Sequence, residues 1–451
     1  MAGKGRPGKY SRPLVVVMTT VAVLTILIAT HLWNPLPMFD AFWHRLTRMS
    51  DPDPLWTTRI DGRPTAASVM DGAVVVAGDG YVAGYRKDQF EQIWQDKTYW
   101  AHPARDVVVA RLRPDDPDAI PNPQRGYSVL NPSTGDVRWT DPDADAVWVF
   151  ASNIVGLSCP QEDVCVLENR DHDGGVVWRL NLPGWAHGIH GDNPHIPGLR
   201  SPAGWFADAA GGLPAAMPLF LPLVVDDRIY VVDTVAVRLV GDLTAPDRQT
   251  RVAFTGDRRL FAHADRAPAG CKYLVETFDV ASGTPLWQRN GYDLDTARGA
   301  GCEPREDPLG ADSRLVVNGS DDRPMLVEAE WDEPFVVWTG APGARVLDTN
   351  GWLAVVVAAD RKTVTIIDVG TEQARTIWSA QFGLDPDAAI AGNLVVIRDR
   401  DKGRLLALRL GTSDAMPVLD IKTKVDVAGY GADGILLTSG RSIGYLPFST
   451  G

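Results

Sequence analysis

Histidines gather in one stretch of the chain, and they are the residues whose chemistry could hold a metal. Imidazole nitrogens and carboxylate oxygens are donors that a transition metal accepts. A glycine and a proline interrupt the spacing, so no helix fixes the geometry of the group. An ordinary polar loop is the competing interpretation. The candidate ligands, all within nine residues, are His187, His190, Asp192 and His195.

A second stretch imitates the start of a calcium-binding loop. Its residues at positions one, three, five and six are Asn169, Asp171, Asp173 and Gly174. The closing glutamate of such a loop is missing, because position twelve is Leu180. Asn, Asp and Gly are also the residues that a tight hairpin turn requires. The stretch therefore favours a turn over a calcium site.

Catalytic signatures are absent from the sequence. It contains no nucleophile elbow, HExxH pair, phosphate loop or dinucleotide fingerprint in a suitable context. The chain has 44 basic and 57 acidic residues, which leave a net charge of -13. Nucleic-acid binding needs clustered Lys and Arg, so the charge disfavours that class of function. We expect no catalytic residue and no nucleic-acid partner.

The N-terminus predicts a membrane anchor. Residues 1–13 carry Lys4, Arg6, Lys9 and Arg12, and residues 14–33 are apolar and long enough to span a bilayer. The basic flank places residues 1–13 in the cytoplasm and the remainder outside it. Residues 34–54 predict an amphipathic juxtamembrane linker. A cleaved signal peptide is the alternative, but no small-x-small cleavage site follows the apolar run.

Four cysteines fall on the side predicted to be extracytoplasmic, where disulfides persist. Proximity in the sequence favours Cys159 with Cys165 and Cys271 with Cys302, although four cysteines allow three pairings. An oxidised, single-pass protein of the plasma membrane is the localisation that these features predict.

A repeat provides the framework for all of these residues. Short β-like runs, rich in Val and Ile, precede tryptophans at spacings of 45, 39, 109, 51 and 40 residues. Such periods belong to propellers and other arrays of small sheets. The tryptophans are Trp94, Trp139, Trp178, Trp287, Trp338 and Trp378.

Two copies of one turn motif show how the repeat is built. "NPSTGDVRW" starts at Asn131 and "DVASGTPLW" at Asp279. The Asx side chain can accept hydrogen bonds from backbone amides ahead of it, and the glycine can adopt positive φ. A tryptophan at a fixed place on the next strand can bury its ring against the neighbouring unit and donate its N–H to a carbonyl there. We expect all six tryptophans to dock adjacent units and to support folding.

These motifs resemble the PQQ-like, quinoprotein-type β-propeller repeat over about residues 55–451. The resemblance implies an all-β propeller. Counting the strand units along the chain gives about eight four-stranded blades, with seven or nine left open, and the propeller follows the predicted transmembrane helix. Relatives include PQQ-dependent dehydrogenases and the propeller lipoprotein of the outer-membrane assembly machinery. The adjacent cysteines typical of the quinoprotein enzymes are missing here. We therefore expect no cofactor and a position in the non-enzymatic branch.

One long stretch, residues 181–218, interrupts the repeat. It is rich in Gly and Pro, and Trp185 and Trp205 are its large apolar side chains. Long loops on a rigid scaffold usually carry function, and buried tryptophans often dominate interfaces. We expect Trp185 and Trp205 to contact a partner; packing of the loop into the central channel is the alternative.

Two functions remain open from the sequence. The first is a membrane-tethered extracytoplasmic propeller that acts as a non-enzymatic scaffold for an envelope protein or a glycan. The second is a quinoprotein-like oxidoreductase or a glycan-active enzyme that uses carboxylates in the central channel. Convergent charged residues around a deep channel favour the enzyme, whereas an exposed apolar patch on one face favours the scaffold.

Overall fold

A computed structural model gives the fold, and it describes residues 56–448 with gaps. The chain divides into two compact units, Met1–Asp51 and Pro52–Gly451, and every described residue belongs to the second. The predicted basic N-terminus, transmembrane segment and linker (1–13, 14–33 and 34–54) lie outside the described residues. Within the part that is described, no helix is long and apolar enough to cross a membrane. The gaps are residues 61, 63, 71, 105, 114–124, 162–163, 184–185, 190–215, 226–227, 241–250, 256, 269, 295–301, 303–308, 312, 371–372, 412–413, 423–425 and 432–433.

The described residues form an all-β structure of antiparallel sheets, as predicted. In each sheet we label the four strands a to d in the order in which they pair across the sheet. The first three sheets, with strand β5 shared by the first and second, comprise β2 (Pro64–Met70), β3 (Ala73–Gly78), β4 (Tyr81–Arg86) and β5 (Gln92–Ala104); then β6 (Val107–Leu112), β7 (Tyr127–Leu130) and β8 (Val137–Asp141); then β9 (Ala146–Val149), β10 (Asn153–Gln161), β11 (Val164–Asp171) and β12 (Val176–Pro183).

The next three sheets follow the same order. They comprise β13 (Ala186–Ile189), β14 (Phe220–Val225), β15 (Arg228–Asp233) and β16 (Arg238–Val240); then β17 (Arg251–Thr255), β18 (Arg258–Ala267), β19 (Gly270–Asp279) and β20 (Pro285–Asn290); then β21 (Gly310–Ala311), β22 (Arg314–Asn318), β23 (Pro324–Glu328) and β24 (Phe335–Thr339).

The last three sheets include the one that joins the two ends of the described chain. They comprise β25 (Arg345–Thr349), β26 (Leu353–Val357), β27 (Thr363–Asp368) and β28 (Arg375–Gln381); then β29 (Asp387–Ala391), β30 (Leu394–Asp399), β31 (Arg404–Leu410) and β32 (Ala415–Lys422); then β33 (Asp426–Gly431), β34 (Gly434–Ser439), β35 (Ser442–Pro447) and β1 (Trp56–Arg59).

If β5 is counted in both of the sheets that share it, the described residues form nine four-stranded sheets, one more than the eight predicted. Strand β5 pairs with β4 up to Lys97 and with β6 from Thr98 onward, so it serves as strand d of one sheet and strand a of the next. No loop marks that boundary. Strands β16 and β32 carry no docking tryptophan, and the ninth sheet is divided between the two ends of the chain. Counting tryptophans therefore undercounts the sheets.

Apolar side chains from neighbouring sheets pack together all the way around. Nine hydrophobic clusters each combine residues of two successive sheets. The ninth-to-first cluster joins Val76 and Tyr85 to Leu436 and Tyr445. Because the last sheet packs on the first, the sheets form a closed ring, which is the architecture of a β-propeller.

Inner strands whose sheet has a neighbouring sheet packed on each face are buried on both faces, which explains their composition. Strand β3 reads AVVVAG, and its first five residues are buried. Strand β26 reads LAVVV and is buried from Ala354 onward. Alternation of polar and apolar residues is needed only where one face meets water, so these strands have continuous apolar runs.

The antiparallel order of the strands gives the ring two distinct faces. Turns from a to b and from c to d lie at one end of each sheet, and turns from b to c lie at the other end with the links between sheets. We call these sides the ab/cd face and the bc/da face. Both predicted disulfides are confirmed, Cys159–Cys165 and Cys271–Cys302. They lie toward the bc/da face: Cys159–Cys165 closes the b–c hairpin of the third sheet, and Cys271–Cys302 joins the b–c hairpin of the fifth sheet to the link that precedes the sixth.

Candidate partner-binding face

Three of the repeat tryptophans lock one sheet to the next. The indole N–H of Trp94 on strand d of the first sheet donates to the carbonyl of Pro132, 2.8 Å away, in the c–d turn of the second. Trp139 and Trp287 make the corresponding bonds to His172, at 3.1 Å, and Ala329, at 3.3 Å. These rings lie where the sequence pattern predicts, and their contacts are with the protein itself.

The glycine of the turn motif makes room for the preceding sheet's tryptophan. Gly135 has φ of 78°, and a Cβ atom there would lie 2.8 Å from the ring of Trp94. Gly174 has the same relation to Trp139, at 3.0 Å. Gly283 also has positive φ, but no atom lies within 4 Å of its Cβ position. Its preceding sheet ends in β16, which carries no tryptophan, so the motif keeps the turn conformation there without the ring.

The other repeat tryptophans pack between sheets without the same hydrogen bond. Trp178 is 8% exposed, and its indole N–H has no hydrogen-bond partner among the described residues. Trp338 and Trp378 are partly buried against the clusters that join the sixth to the seventh and the seventh to the eighth sheet. All three therefore contribute apolar area to the ring.

The calcium-like stretch forms a tight turn that uses its own oxygens. Asp171 Oδ1 accepts hydrogen bonds from the amides of Asp173, at 3.0 Å, and Gly175, at 2.7 Å. Asn169 is fully buried in strand β11, where it pairs with Val155 and Trp178 of the neighbouring strands. The ligand positions of a calcium loop are therefore not brought together, and the hairpin interpretation describes the stretch correctly.

The predicted metal and partner residues of the long interruption lie largely outside the described residues. This applies to Trp185, His190, Asp192, His195 and Trp205; only the backbone of His187 is described, in strand β13. Within the described residues, no three His, Cys, Asp or Glu side chains gather into a group that could hold a metal ion.

The interruption is shorter than predicted. Residues 181–183 complete strand β12 and Ala186–Ile189 form β13, because strand pairing continues on both sides of the sheet boundary. The remaining segment leaves β13 after Ile189 and returns at β14, which begins at Phe220. The two described strands that flank it, β13 and β14, are strands a and b of the fourth sheet.

Exposed aromatic side chains mark the ab/cd face of the sixth and seventh sheets. Trp331 is 68% exposed and Phe335 66% exposed, at the c–d turn of the sixth sheet. Trp352 is 57% exposed, at the a–b turn of the seventh. We call these three residues the aromatic patch. Large rings at such exposure are a feature of contact surfaces rather than of a folded core.

An arginine of the sixth sheet holds part of this patch in place. The guanidinium of Arg314 lies 4.9 Å from the centre of the Trp352 ring. It also donates to the carbonyls of Gly351, at 2.5 Å, and Val369, at 3.2 Å, and its Nε bonds Glu328 at 3.1 Å. A cation over an indole face is attracted by the ring quadrupole, so this contact stabilises the observed orientation of Trp352.

Sequence reasoning missed the aromatic patch because its residues resemble docking residues. Trp331 and Trp338 both belong to "EWDEPFVVW", and the spacing assigns only the second to the repeat. A signal was nevertheless present. Trp331 stands among Glu330, Asp332 and Glu333, and charged neighbours on both sides are typical of a solvent-exposed turn.

Two carboxylates with lowered pKa values belong to tight turns of the repeat. The hydroxyl of Ser282 donates to Asp279 and lowers the pKa of that carboxyl. Thr363 lowers the pKa of Asp360 in the same way, in the turn before β27. Hydrogen bonds to the charged form explain both shifts, and their role is to close the turn.

Comparison with known proteins agrees with the repeat. The sequence model of a family described as outer membrane protein assembly factor BamB matches residues 272–417, which is less than half of the chain. No curated protein matches the chain. The predicted resemblance to the PQQ-like repeat family is therefore confirmed for that segment.

Solved structures with a similar fold are distant in sequence. BamB from Moraxella catarrhalis is 12% identical, with a TM-score of 0.32, and the match covers 70% of this chain and 84% of that one. A eukaryotic initiation factor is 9% identical, with a TM-score of 0.46 and coverage of 89% and 94%. The computationally designed Ika8 protein is 11% identical, with a TM-score of 0.40 and coverage of 86% and 98%.

The closed ring of sheets and its turn chemistry define the class of this protein as a β-propeller. Its particular character is a PQQ-like repeat, similar to the BamB family over residues 272–417.

Proposed function

We propose that the protein is a membrane-tethered, extracytoplasmic scaffold that binds an envelope partner through the ab/cd face. The observation that carries this proposal is the aromatic patch. Trp331, Phe335 and Trp352 expose large rings on a closed ring of sheets whose own docking tryptophans are occupied internally. Burial of such rings against a partner is the usual source of binding energy at an interface.

Two further features support the tethered and extracytoplasmic parts of the proposal. The apolar residues 14–33 with their basic flank predict one span with the propeller outside the cytoplasm. Two disulfides suit an oxidising compartment. A reporter that works only in the cytoplasm, fused after Gly451, is expected to stay silent. Activity of that reporter would contradict the orientation.

Site-specific crosslinking tests the binding face. A photoreactive residue in place of Phe335, in the full membrane-bound chain, is expected to yield a discrete crosslinked product. The matched control is Leu384, which is 47% exposed and lies in a link on the bc/da face. Identical products from both positions, or none from position 335, would refute the assignment of the face.

A further inference from the structure

We propose that the aromatic patch takes a basic, partly apolar segment of the partner chain in extended form. This inference rests on the proposed function and adds the chemistry of the ligand. Its basis is the turn Glu330–Phe335, called here the acidic turn, which surrounds Trp331 with carboxylates. Ring faces and carboxylates at one turn are complementary to Lys and Arg side chains, whose aliphatic stems can cover the rings.

The acidic turn carries an unbalanced negative charge. Glu330, Asp332 and Glu333 are all exposed, and the sequence from Pro324 to Ala344 contains no Lys or Arg. The surface therefore attracts cations and repels nucleic acid and anionic lipid.

Cations of the neighbouring fifth sheet neutralise this turn only in part. Arg289 reaches Glu333 at 3.9 Å, with exposed side chains on both sides, and such a pair contributes little. Arg258 donates to the backbone carbonyl of Glu330 at 2.6 Å, while its own charge faces Asp257 and Asp279. Among the described residues, no ion pair involves the carboxylates of Glu330 and Asp332. They remain available to a partner.

The chain already shows how a cation is held on this surface. Arg314 stacks on Trp352, bonds Glu328 and donates to two turn carbonyls. Trp331 and the acidic turn offer two of these contacts, a ring that is 68% exposed and carboxylates beside it, in the c–d turn of the sixth sheet. A partner arginine or lysine can therefore repeat, from outside, the arrangement that Arg314 makes from inside.

An extended segment suits the layout better than a helix. Phe335 and Val336, both exposed, begin the outer strand β24, whose outer edge is unpaired in its sheet. A strand edge beside rings and carboxylates can bind main chain along the edge and side chains at the turn.

The test measures binding of a defined probe to the full chain in detergent. The probe is a fluorescein-labelled short peptide of alternating lysine and leucine, followed by anisotropy at low and physiological salt. Its charge-reversed partner has glutamate in place of lysine. We expect the lysine probe to bind, the glutamate probe not to bind, and salt to weaken the complex, since exposed charges are screened.

A matched pair of variants locates the site. D332N/E333Q removes two charges from the c–d turn of the sixth sheet, and D88N/E91Q removes two from the c–d turn of the first sheet, on the same face. We expect about a tenfold loss of affinity for the first pair and little change for the second. A general effect of net charge would instead weaken binding to both variants equally. W331A is expected to weaken the probe by a similar factor.

The outcomes separate the inference from the function on which it rests. Equal losses in the two charge variants, or equal binding of the two probes, would overturn the inference. If the crosslink from position 335 persists in D332N/E333Q, the scaffold function stands without the basic ligand. If the crosslink from position 335 is absent even when the acidic turn is unchanged, the proposed function itself fails.

Discussion

Val237 occupies a backbone position that the repeat normally gives to glycine. Its φ is 51°, and Gly135, Gly174 and Gly283 hold the corresponding place with φ of 78°, 91° and 68°. For a β-branched residue this region is a true outlier and costs about 1–3 kcal/mol. The turn around it is otherwise regular, since Asp233 accepts from the amides of Val235 and Ala236. The fourth sheet therefore keeps the turn and carries its strain.

Replacement of this valine tests the strain. Val237→Gly is expected to leave the free energy of unfolding unchanged or to raise it by up to about 1 kcal/mol, because relief of strain offsets the added chain entropy and the lost packing. Val235→Gly is the control, since Val235 lies in the same turn, is 75% exposed and has no positive φ. It is expected to lower stability by about 0.5–1 kcal/mol. Equal losses in urea titrations would contradict the strain.

Acid should weaken the fifth sheet's turn through Asp279. The hydroxyl of Ser282 lowers the pKa of this carboxyl, so the stabilisation is complete above its ordinary pKa of about 3.9 and is lost as pH falls through the lower folded value. Ser282→Ala should therefore lower the melting temperature at neutral pH, and its difference from the wild type should shrink below about pH 4.

The other copy of the turn motif, which starts at Asn131, supplies the control for this pH dependence. Thr134 occupies the place of Ser282, but the turn begins with Asn131, which does not ionise. Thr134→Ala should cost the same at every pH between neutral and mildly acidic. A parallel decline of both differences with pH would show that Asp279 is not responsible.

At the scale of the elements, the sheets interlock through a ring on one and a turn on the next. Trp94 is 9% exposed, donates to Pro132 and lies against Gly135. The contact joins strand d of one sheet to the c–d turn of its neighbour, 38 residues later in the chain. The ring on strand d is therefore buried only when the c–d turn of the following sheet is present, so the tryptophan and the turn motif follow each other in a fixed order along the chain.

Two glycines of identical motif separate conformation from contact. Gly135→Ala and Gly283→Ala should both lower the free energy of unfolding by about 1–2 kcal/mol because of the positive φ, but only at Gly135 would the new Cβ meet a tryptophan ring. We expect Gly135→Ala to cost about 1–3 kcal/mol more than Gly283→Ala in equilibrium unfolding. In a Trp94→Ala background that excess should disappear. Persistence of the excess would mean that the ring does not fill the turn.

Local chemistry explains which elements could be predicted from the sequence. The turn glycines, the Asx side chains and the docking of Trp94, Trp139 and Trp287 depend on residues a few positions apart or one repeat apart. Both disulfides join neighbours in sequence or structure. The charged neighbours of Trp331 indicate an exposed turn, but the burial of Trp338 and the exposure of Trp331 as parts of one patch depend on which sheet covers the turn, and the sequence does not show that.

The number of sheets also depends on contacts distant in sequence. Strand β1 pairs with β35 in register Trp56↔Tyr445 to Arg59↔Ser442, so the last sheet exists only when both ends of the described chain meet. Ile60 follows β1, is 3% exposed and donates its N–H to Arg441 at 2.9 Å. The sequence left the count open between seven and nine, because a pairing of such long range leaves no local pattern.

Closure of the ring gives the last prediction. A chain that begins at Asp61 lacks β1 and Ile60, and a matched chain that begins at Pro52 keeps both. The shorter chain should lose more than about 2 kcal/mol, since Ile60 alone is a buried aliphatic side chain in the cluster between the ninth and first sheets. Its β35 edge is left unpaired, so it should also aggregate at lower temperature. Addition of a peptide covering Pro52 to Ile60 should restore part of the melting temperature. Identical unfolding of the two chains, with no effect of the peptide, would show that the ring is stable without its closing strand.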